Sequence, residues 1–145
     1  LFQTVREKNG IAYQINSFLN SFYDISTLGV YFSTNEKSAH KAESLILNEF
    51  KKMRKQKIST EELDRAKNFL KGNLIMSLEN TTNRMIRNAQ SLIYHNRIKT
   101  LEETIKEIES VTREDILELS NLYLDNNTYK KVVISSKNLL LHSVA

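Results

Sequence analysis

The spacing of apolar residues in this chain changes near residue 35, and the change restricts the folds that the chain can adopt. Between residues 11 and 33 apolar and polar side chains alternate, which is typical of β-strands. From residue 37 to residue 124 apolar side chains recur every three or four positions, as in amphipathic helices. The sequence therefore predicts an α+β protein, in the order helix, two strands, several helices and one strand.

The alternating region predicts a β-hairpin. Its strands are expected at residues 11–20 and 27–33, with the turn in "FYDIS", residues 22–26, between them. A third strand is expected in "YKKVVIS", residues 129–135, after the helices. Three strands are few to cover so many apolar helix faces. We therefore expect a missing upstream strand and an open sheet edge, closed by a dimer or another covering partner.

A corner between a helix and a strand precedes the hairpin. Residues 1–9 look like the end of a charged helix, and Gly10 suits its C-terminal cap. Arg6 and Tyr13 stand seven residues apart across this glycine. The alternation places Tyr13 on the same strand face as Ile15, so Tyr13 would be a core aromatic if nothing else were known.

Three sites have the composition of helix N-caps. A serine or threonine is followed three residues later by Glu or Asp at Ser59, Thr100 and Thr112. A long helix over residues 37–56 precedes them. The predicted apolar stripes are Ala39, Ala42, Leu45, Ile46, Phe50 and Met53; Leu63, Ala66, Leu70, Leu74 and Leu78; and Met85, Ile86, Ala89, Leu92 and Ile93.

Composition excludes several classes of protein. The chain is 40% hydrophobic and 26% charged, which fits one globular domain, expected over residues 1–136 with a tail at 137–145. It has no cysteine, hence no disulfide, thiolate metal site or cysteine nucleophile. No apolar run reaches the length of a membrane helix, and we expect no membrane partner. Because Leu1 is not an initiator methionine, we expect a fragment or a processed product, with a domain that is incomplete at its N-terminus.

The net charge of +4 is concentrated in "KKMRKQK", residues 51–57. Such a cluster can bind phosphates. The alternative is a solvated helix end, where cations interact favourably with the helix dipole. No aromatic residue interleaves the cluster, so the helix-end interpretation is favoured and no nucleic-acid partner is expected.

The histidines do not form a recognisable metal site. "HKAES" begins like the H-x-x-E-H zinc motif, but position 44 is serine, so the second histidine ligand is absent. His40 is therefore interpreted as a structural or surface residue, and His95 as a helix-end residue; His142 falls in the uninterpreted tail. Neither a G-x-S-x-G nucleophile elbow nor a glycine-rich phosphate loop is present.

Several separated blocks of the chain closely resemble the C-terminal, non-metal domain of the insulinase/pitrilysin, mitochondrial-processing-peptidase-like zinc metallopeptidases. The first block is "LFQTVREKNGIAYQINSFLNSFYDISTLGVYFST". "TEELDRAKNFLKGNLIMSLENTTNRM" and "VTREDILELSNLYL" follow in the family's order and spacing, so that the resemblance covers residues 1–136. It implies a LuxS/metallopeptidase-like domain, N-terminally truncated, with an antiparallel or mixed sheet and several α-helices packed on one face.

In that family an arginine and a tyrosine in an R-x6-Y pattern reach the active site of the zinc-bearing domain, and here they match Arg6 and Tyr13. The resemblance implies substrate and transition-state contacts by this pair, in trans. It also implies Zn²⁺ in a partner domain or homologous subunit and none in this chain, which would not be catalytic alone because H-x-x-E-H is absent. The alternative within the family is a non-catalytic structural or partner subunit. We expect a bacterial cytoplasm or periplasm rather than an organelle.

Overall fold

The computed structural model of the protein describes residues 5, 6, 10–125 and 129–135. A hairpin of two strands is followed by a short 3₁₀ turn, Glu36–Ser38, and by five helices within the described residues. The strands are β1 (Ala12–Ser21) and β2 (Ser26–Thr34); the helices are α1 (Ala39–Lys55), α2 (Thr60–Ser77), α3 (Thr81–His95), α4 (Leu101–Ser110) and α5 (Arg113–Tyr123). The predicted α+β class is confirmed.

The predicted hairpin is confirmed as well. β1 and β2 pair antiparallel from Ala12 opposite Thr34 to Ser21 opposite Ser26. The turn is closed by the Phe22 N–H, which donates to the Ile25 carbonyl at 2.8 Å. One irregularity interrupts the register, between Ala12 and Gln14.

The main core lies between one face of the hairpin and α1. The apolar stripe of α1 packs under the strands because its residues recur at helical spacing while those of the strands alternate. The buried members are Val5, Ile11, Ala12, Ile15, Ala42 and Ile46, with Val30, Phe32, Leu45 and Phe50 partly buried against them.

Three of the remaining helices, α2, α4 and α5, begin at the predicted N-caps, whereas α3 begins at Asn80, which was not predicted as a cap. The Ser59 hydroxyl accepts a hydrogen bond from the Glu62 N–H at 3.1 Å. At Thr100 and Thr112 the capping box is reciprocal: each hydroxyl accepts from the backbone N–H three residues on, and that residue's carboxylate accepts from the threonine N–H. These helix starts are therefore fixed locally, by backbone donors that find side-chain acceptors.

The predicted burial of the α2 and α3 stripes is wrong for most of their residues. Leu63 is buried, whereas Leu70 is 54% and Ile93 72% exposed. α2 packs on α4, and α5 packs on α1. Apolar spacing gives the face of a helix but not the element that covers it, and among the described residues no element covers most of these two stripes.

The predicted strand at residues 129–135 is also wrong, since these residues form no ladder with the described strands. They lie instead beside α1, where the Tyr129 hydroxyl and the Lys131 ammonium bind the Glu43 carboxylate at 3.1 and 3.0 Å. A groove of about 1060 Å³ lies between this segment and β2. The predicted tail at 137–145, and most of the predicted helix at 1–9, lie outside the described residues.

Candidate functional site: the corner at Gly10 and the exposed face of the hairpin

The corner before β1 is closed by two nested backbone hydrogen bonds. The Gly10 N–H donates to the Arg6 carbonyl at 3.0 Å, and the Ile11 N–H donates to the Val5 carbonyl at 3.2 Å. Gly10 has φ +59°, the left-handed conformation in which glycine commonly ends a helix, so the predicted cap is confirmed. Val5 is fully buried and Ile11 nearly so, which fixes the corner to the core.

Tyr13 does not lie on the core face, contrary to the prediction from alternation. The register passes from Ala12 opposite Thr34 to Gln14 opposite Ser33, which leaves Tyr13 as the extra residue of a β-bulge. Ala12 and Ile15 are both buried, whereas Tyr13 is 72% exposed. Such a bulge redirects a side chain without breaking the strand, and bulges are frequent next to active sites.

Arg6 directly follows the buried Val5, and Tyr13 lies two residues after the buried Ile11. Arg6 is exposed in the helical turn before Gly10, and Tyr13 is exposed at the start of β1. Both are hydrogen-bond donors, one permanently charged and one neutral. Their action on a common ligand stays a prediction.

The face of the hairpin opposite α1 extends away from Tyr13 and was not singled out by the sequence. Its side chains come from cross-strand pairs that alternate with the core pairs. The pairs are Gln14–Ser33, Asn16–Tyr31, Phe18–Gly29 and Asn20–Thr27. Amides and aromatic rings dominate this face, and charged side chains are absent from these eight positions. Alternation alone places Gln14, Asn16, Phe18 and Asn20 on one face of β1, because these positions follow the bulge.

The part of the chain described by the structure does not fit a zinc site. His40 is exposed on α1, and its carbonyl accepts a hydrogen bond from the Ser44 hydroxyl at 2.9 Å. His95 is the last residue of α3. No three His, Asp or Glu side chains among the described residues converge as a metal would require. His142 lies outside these residues.

Acidic partners neutralise much of the basic cluster at residues 51–57. Lys52 pairs with Glu49 at 2.6 Å, and Arg54 with Asp125 at 3.0 Å. Lys57 pairs with Glu114, lowering the pKa of that carboxyl through a hydrogen bond and its charge. These contacts support the helix-end interpretation, since paired cations are less available to phosphates. As for membranes, none of the helices described here is both long and apolar enough to cross one.

Comparison with known proteins agrees with the fold. Residues 1–70 match the family described as "Peptidase M16 inactive domain". A zinc protease of Bacillus subtilis, YmxG, is 33% identical over 80% of this chain and 28% of its own length. The beta subunit of the mitochondrial-processing peptidase of Saccharomyces cerevisiae is 27% identical over 90% of this chain and 29% of its own.

Two solved structures share the fold. A conserved protein from Enterococcus faecalis matches with TM-score 0.71 and 28% identity, over 83% of this chain and 28% of its own. A chain of complex III from Candida albicans matches with TM-score 0.74 and 22% identity, over 82% of this chain and 28% of its own, which shows the fold alone. These matches show that residues 1–70 belong to an inactive domain of the M16 (insulinase-type) zinc peptidase family.

The chain spans little more than a quarter of the length of the relatives described above. One relative, the beta subunit of the mitochondrial-processing peptidase, is by name a subunit. Several further relatives, from Mycobacterium, Streptomyces and Rickettsia, are named zinc proteases. These organisms support the expected bacterial setting.

Proposed function

We propose that this chain is the substrate-contacting, non-metal domain of a zinc-dependent endopeptidase, and that Arg6 and Tyr13 bind the peptide at the active site of a zinc-bearing domain. The observation that carries the proposal is the bulge at Tyr13. It turns a tyrosine out of a strand whose neighbouring residues, Ala12 and Ile15, are buried. A merely structural tyrosine at this position would have gained stability by burial with them.

The two side chains are chemically suited to a peptide carbonyl. The Arg6 guanidinium is always charged and presents a planar fork of donors, and the Tyr13 hydroxyl is a single directional donor. Hydrogen bonds to a carbonyl oxygen strengthen as negative charge develops on it. The pair would therefore orient the peptide and stabilise that charge.

The metal would come from elsewhere. Because the described residues of this chain do not fit zinc, Zn²⁺ would be held by a partner domain of the same polypeptide or by a homologous subunit. That metal would supply the hydrolytic chemistry. This chain would close over the peptide and contribute the two donors.

Pairing with another domain is supported by the apolar surface left open here. Large apolar side chains on α2 and α3, such as Phe69, Met76 and Ile93, are each more than two-thirds exposed. Monomeric proteins rarely leave contiguous apolar patches of this kind uncovered. Size-exclusion chromatography with light scattering should show a dimer or a stable domain pair; a monodisperse, stable monomer of this chain would contradict the pairing.

The direct test replaces Tyr13 by phenylalanine in the full-length enzyme, which removes one donor and keeps the ring. Loss of a donor to a developing oxyanion lowers kcat by about 10²- to 10³-fold. We expect kcat to fall by that order while KM changes little, measured on a fluorogenic peptide.

Tyr23→Phe is the matched control, because Tyr23 is 81% exposed in the hairpin turn, away from the corner. It should keep full turnover. If Tyr13→Phe turns over as fast as the parent, the pair has no catalytic role, and the chain is better explained as a non-catalytic structural or partner subunit.

A further inference from the structure

One aromatic ring on the exposed face of the hairpin lies opposite a glycine of the neighbouring strand. Phe18 lies opposite Gly29, and a Cβ atom at position 29 would stand only 2.4 Å from the Phe18 Cζ atom. The absence of a side chain at Gly29 therefore makes room for the ring across β2. The ring covers Gly29, and 40% of Phe18 stays exposed.

The surroundings of Phe18 are those of a contact surface. Asn16 and Asn20 flank it on the same face of β1, and both are exposed. Amide side chains donate and accept hydrogen bonds, as an extended peptide backbone requires, and an aromatic ring between them offers apolar contact. A ring that served only to cover Gly29 would not need amides on both sides.

The position of Phe18 relative to Tyr13 sets which part of a peptide it can reach. The two residues are five apart on β1, and a strand rises about 3.3 Å per residue, so they are separated by about 17 Å. An extended peptide has nearly the same rise. A peptide that runs along this face from Tyr13 would therefore bring a side chain about five residues away to Phe18.

We infer that Phe18 is a specificity-determining residue of the peptide site, contacting an apolar substrate side chain about five residues from the peptide bond that lies at Tyr13. The inference rests on the proposed function, which it deepens by adding a preference in the substrate. The exposed part of the Phe18 ring and the neighbouring Asn16 and Asn20 amides would form the contact, and the absence of a side chain at Gly29 makes room for the ring.

The experiment uses the full-length metal-loaded enzyme and a set of extended peptides in which leucine or serine occupies one position at a time. In the parent enzyme, kcat/KM should favour leucine over serine at one position four to six residues from the cleaved bond. Phe18→Ala should reduce that preference by about tenfold, because it removes the apolar surface against which the leucine would be buried. Preferences at the other positions should stay unchanged.

Two further variants distinguish the loss of this contact from a loss of folding. Phe18→Leu keeps an apolar side chain at this position and should keep most of the preference, whereas Gly29→Ala keeps the ring but displaces it and should weaken the preference. Phe22→Ala is the control, because Phe22 is 63% exposed outside the paired strands. Thermal melts establish which variants are folded.

The outcomes separate this inference from the proposed function. If Tyr13→Phe lowers kcat but every folded Phe18 and Gly29 variant keeps the parent's preference at all positions, Phe18 is a structural cover and the inference is wrong. If neither Tyr13→Phe nor the Phe18 variants affect cleavage, the proposed function itself fails.

Discussion

The hairpin with α1 and the pair α2–α3 use their apolar residues in opposite ways. In the first region the apolar stripe of α1 packs under the strands, and residues such as Ile15 and Ala42 are buried. In the second, Leu70 and Ile93 carry equally regular apolar spacing yet remain exposed. The first region packs against another element of the described chain. In the second, local N-caps fix where the helices begin, but most of the apolar stripe stays uncovered. The difference teaches that periodicity specifies a helix, while burial depends on what packs against it.

The largest expected effect separates the two regions directly. Ile15→Ala removes a side chain that is 97% buried, whereas Ile93→Ala removes one that is 72% exposed. The first should lower the free energy of unfolding by about 2–5 kcal/mol and the second by less than about 0.5 kcal/mol. Urea denaturation followed by circular dichroism measures both. Equal losses would mean that the two regions are packed alike.

A second comparison uses two glycines, one in each region. Gly10→Ala places a Cβ in the left-handed conformation, which costs about 1–2 kcal/mol although no atom lies within 4 Å of it. Gly72→Ala on α2 also meets no atom, and it should stabilise the helix by about 0.5–1 kcal/mol. The two shifts in thermal midpoint should have opposite signs. A stabilising Gly10→Ala would contradict the corner described here.

Because the helix starts are fixed by local N-caps, removing one cap should lower the free energy of unfolding by less than removing a buried core side chain does. Thr112→Ala removes the hydroxyl that accepts the Asp115 N–H at 3.1 Å, and should cost about 1 kcal/mol. Thr112→Ser keeps the acceptor and should cost much less. Both are measured by urea denaturation. If the alanine and serine variants are equally stable, the cap makes no contribution to α5.

The smallest effect is the pH dependence of the same cap. Hydrogen bonds from the Thr112 backbone N–H and hydroxyl hold the pKa of Asp115 below its ordinary value of 3.8. Because the folded pKa is the lower one, this stabilisation is fully present above the unfolded pKa and is lost as pH falls through the folded pKa. Asp115→Asn should therefore flatten the stability profile below about pH 4. An unchanged profile in this variant would exclude Asp115 as a contributor.

Much of the fold follows from the sequence because its signals are local. The hairpin, the start of α1 and the caps at Ser59, Thr100 and Thr112 each depend on residues a few positions apart. The strand expected at residues 129–135 is absent because a strand depends on a partner that is distant in sequence. A strand needs a partner ladder, and in the structure Tyr129 and Lys131 are instead bound by Glu43 on α1.

The candidate site was predicted only in part. The spacing of Arg6 and Tyr13, and Gly10 between them, came from the family resemblance and from the helix-cap pattern. Simple alternation placed Tyr13 in the core, because one extra residue in a strand reverses every side chain before it. The adjacent apolar residues Ile11 and Ala12, followed by Ile15, break strict alternation and so indicate the bulge. The pairing of Phe18 with Gly29 depends on strand register.

The central claim is that Arg6 and Tyr13 act together on one peptide, and a double-mutant cycle on kcat tests it most directly. Arg6→Lys keeps the charge but removes the fork, and Tyr13→Phe removes the hydroxyl. In the full-length enzyme we predict that the two losses are not additive, with an interaction energy of about 0.5–3 kcal/mol, as for groups that share a ligand. Losses in kcat that add within error, or no loss from either change, would contradict the claim.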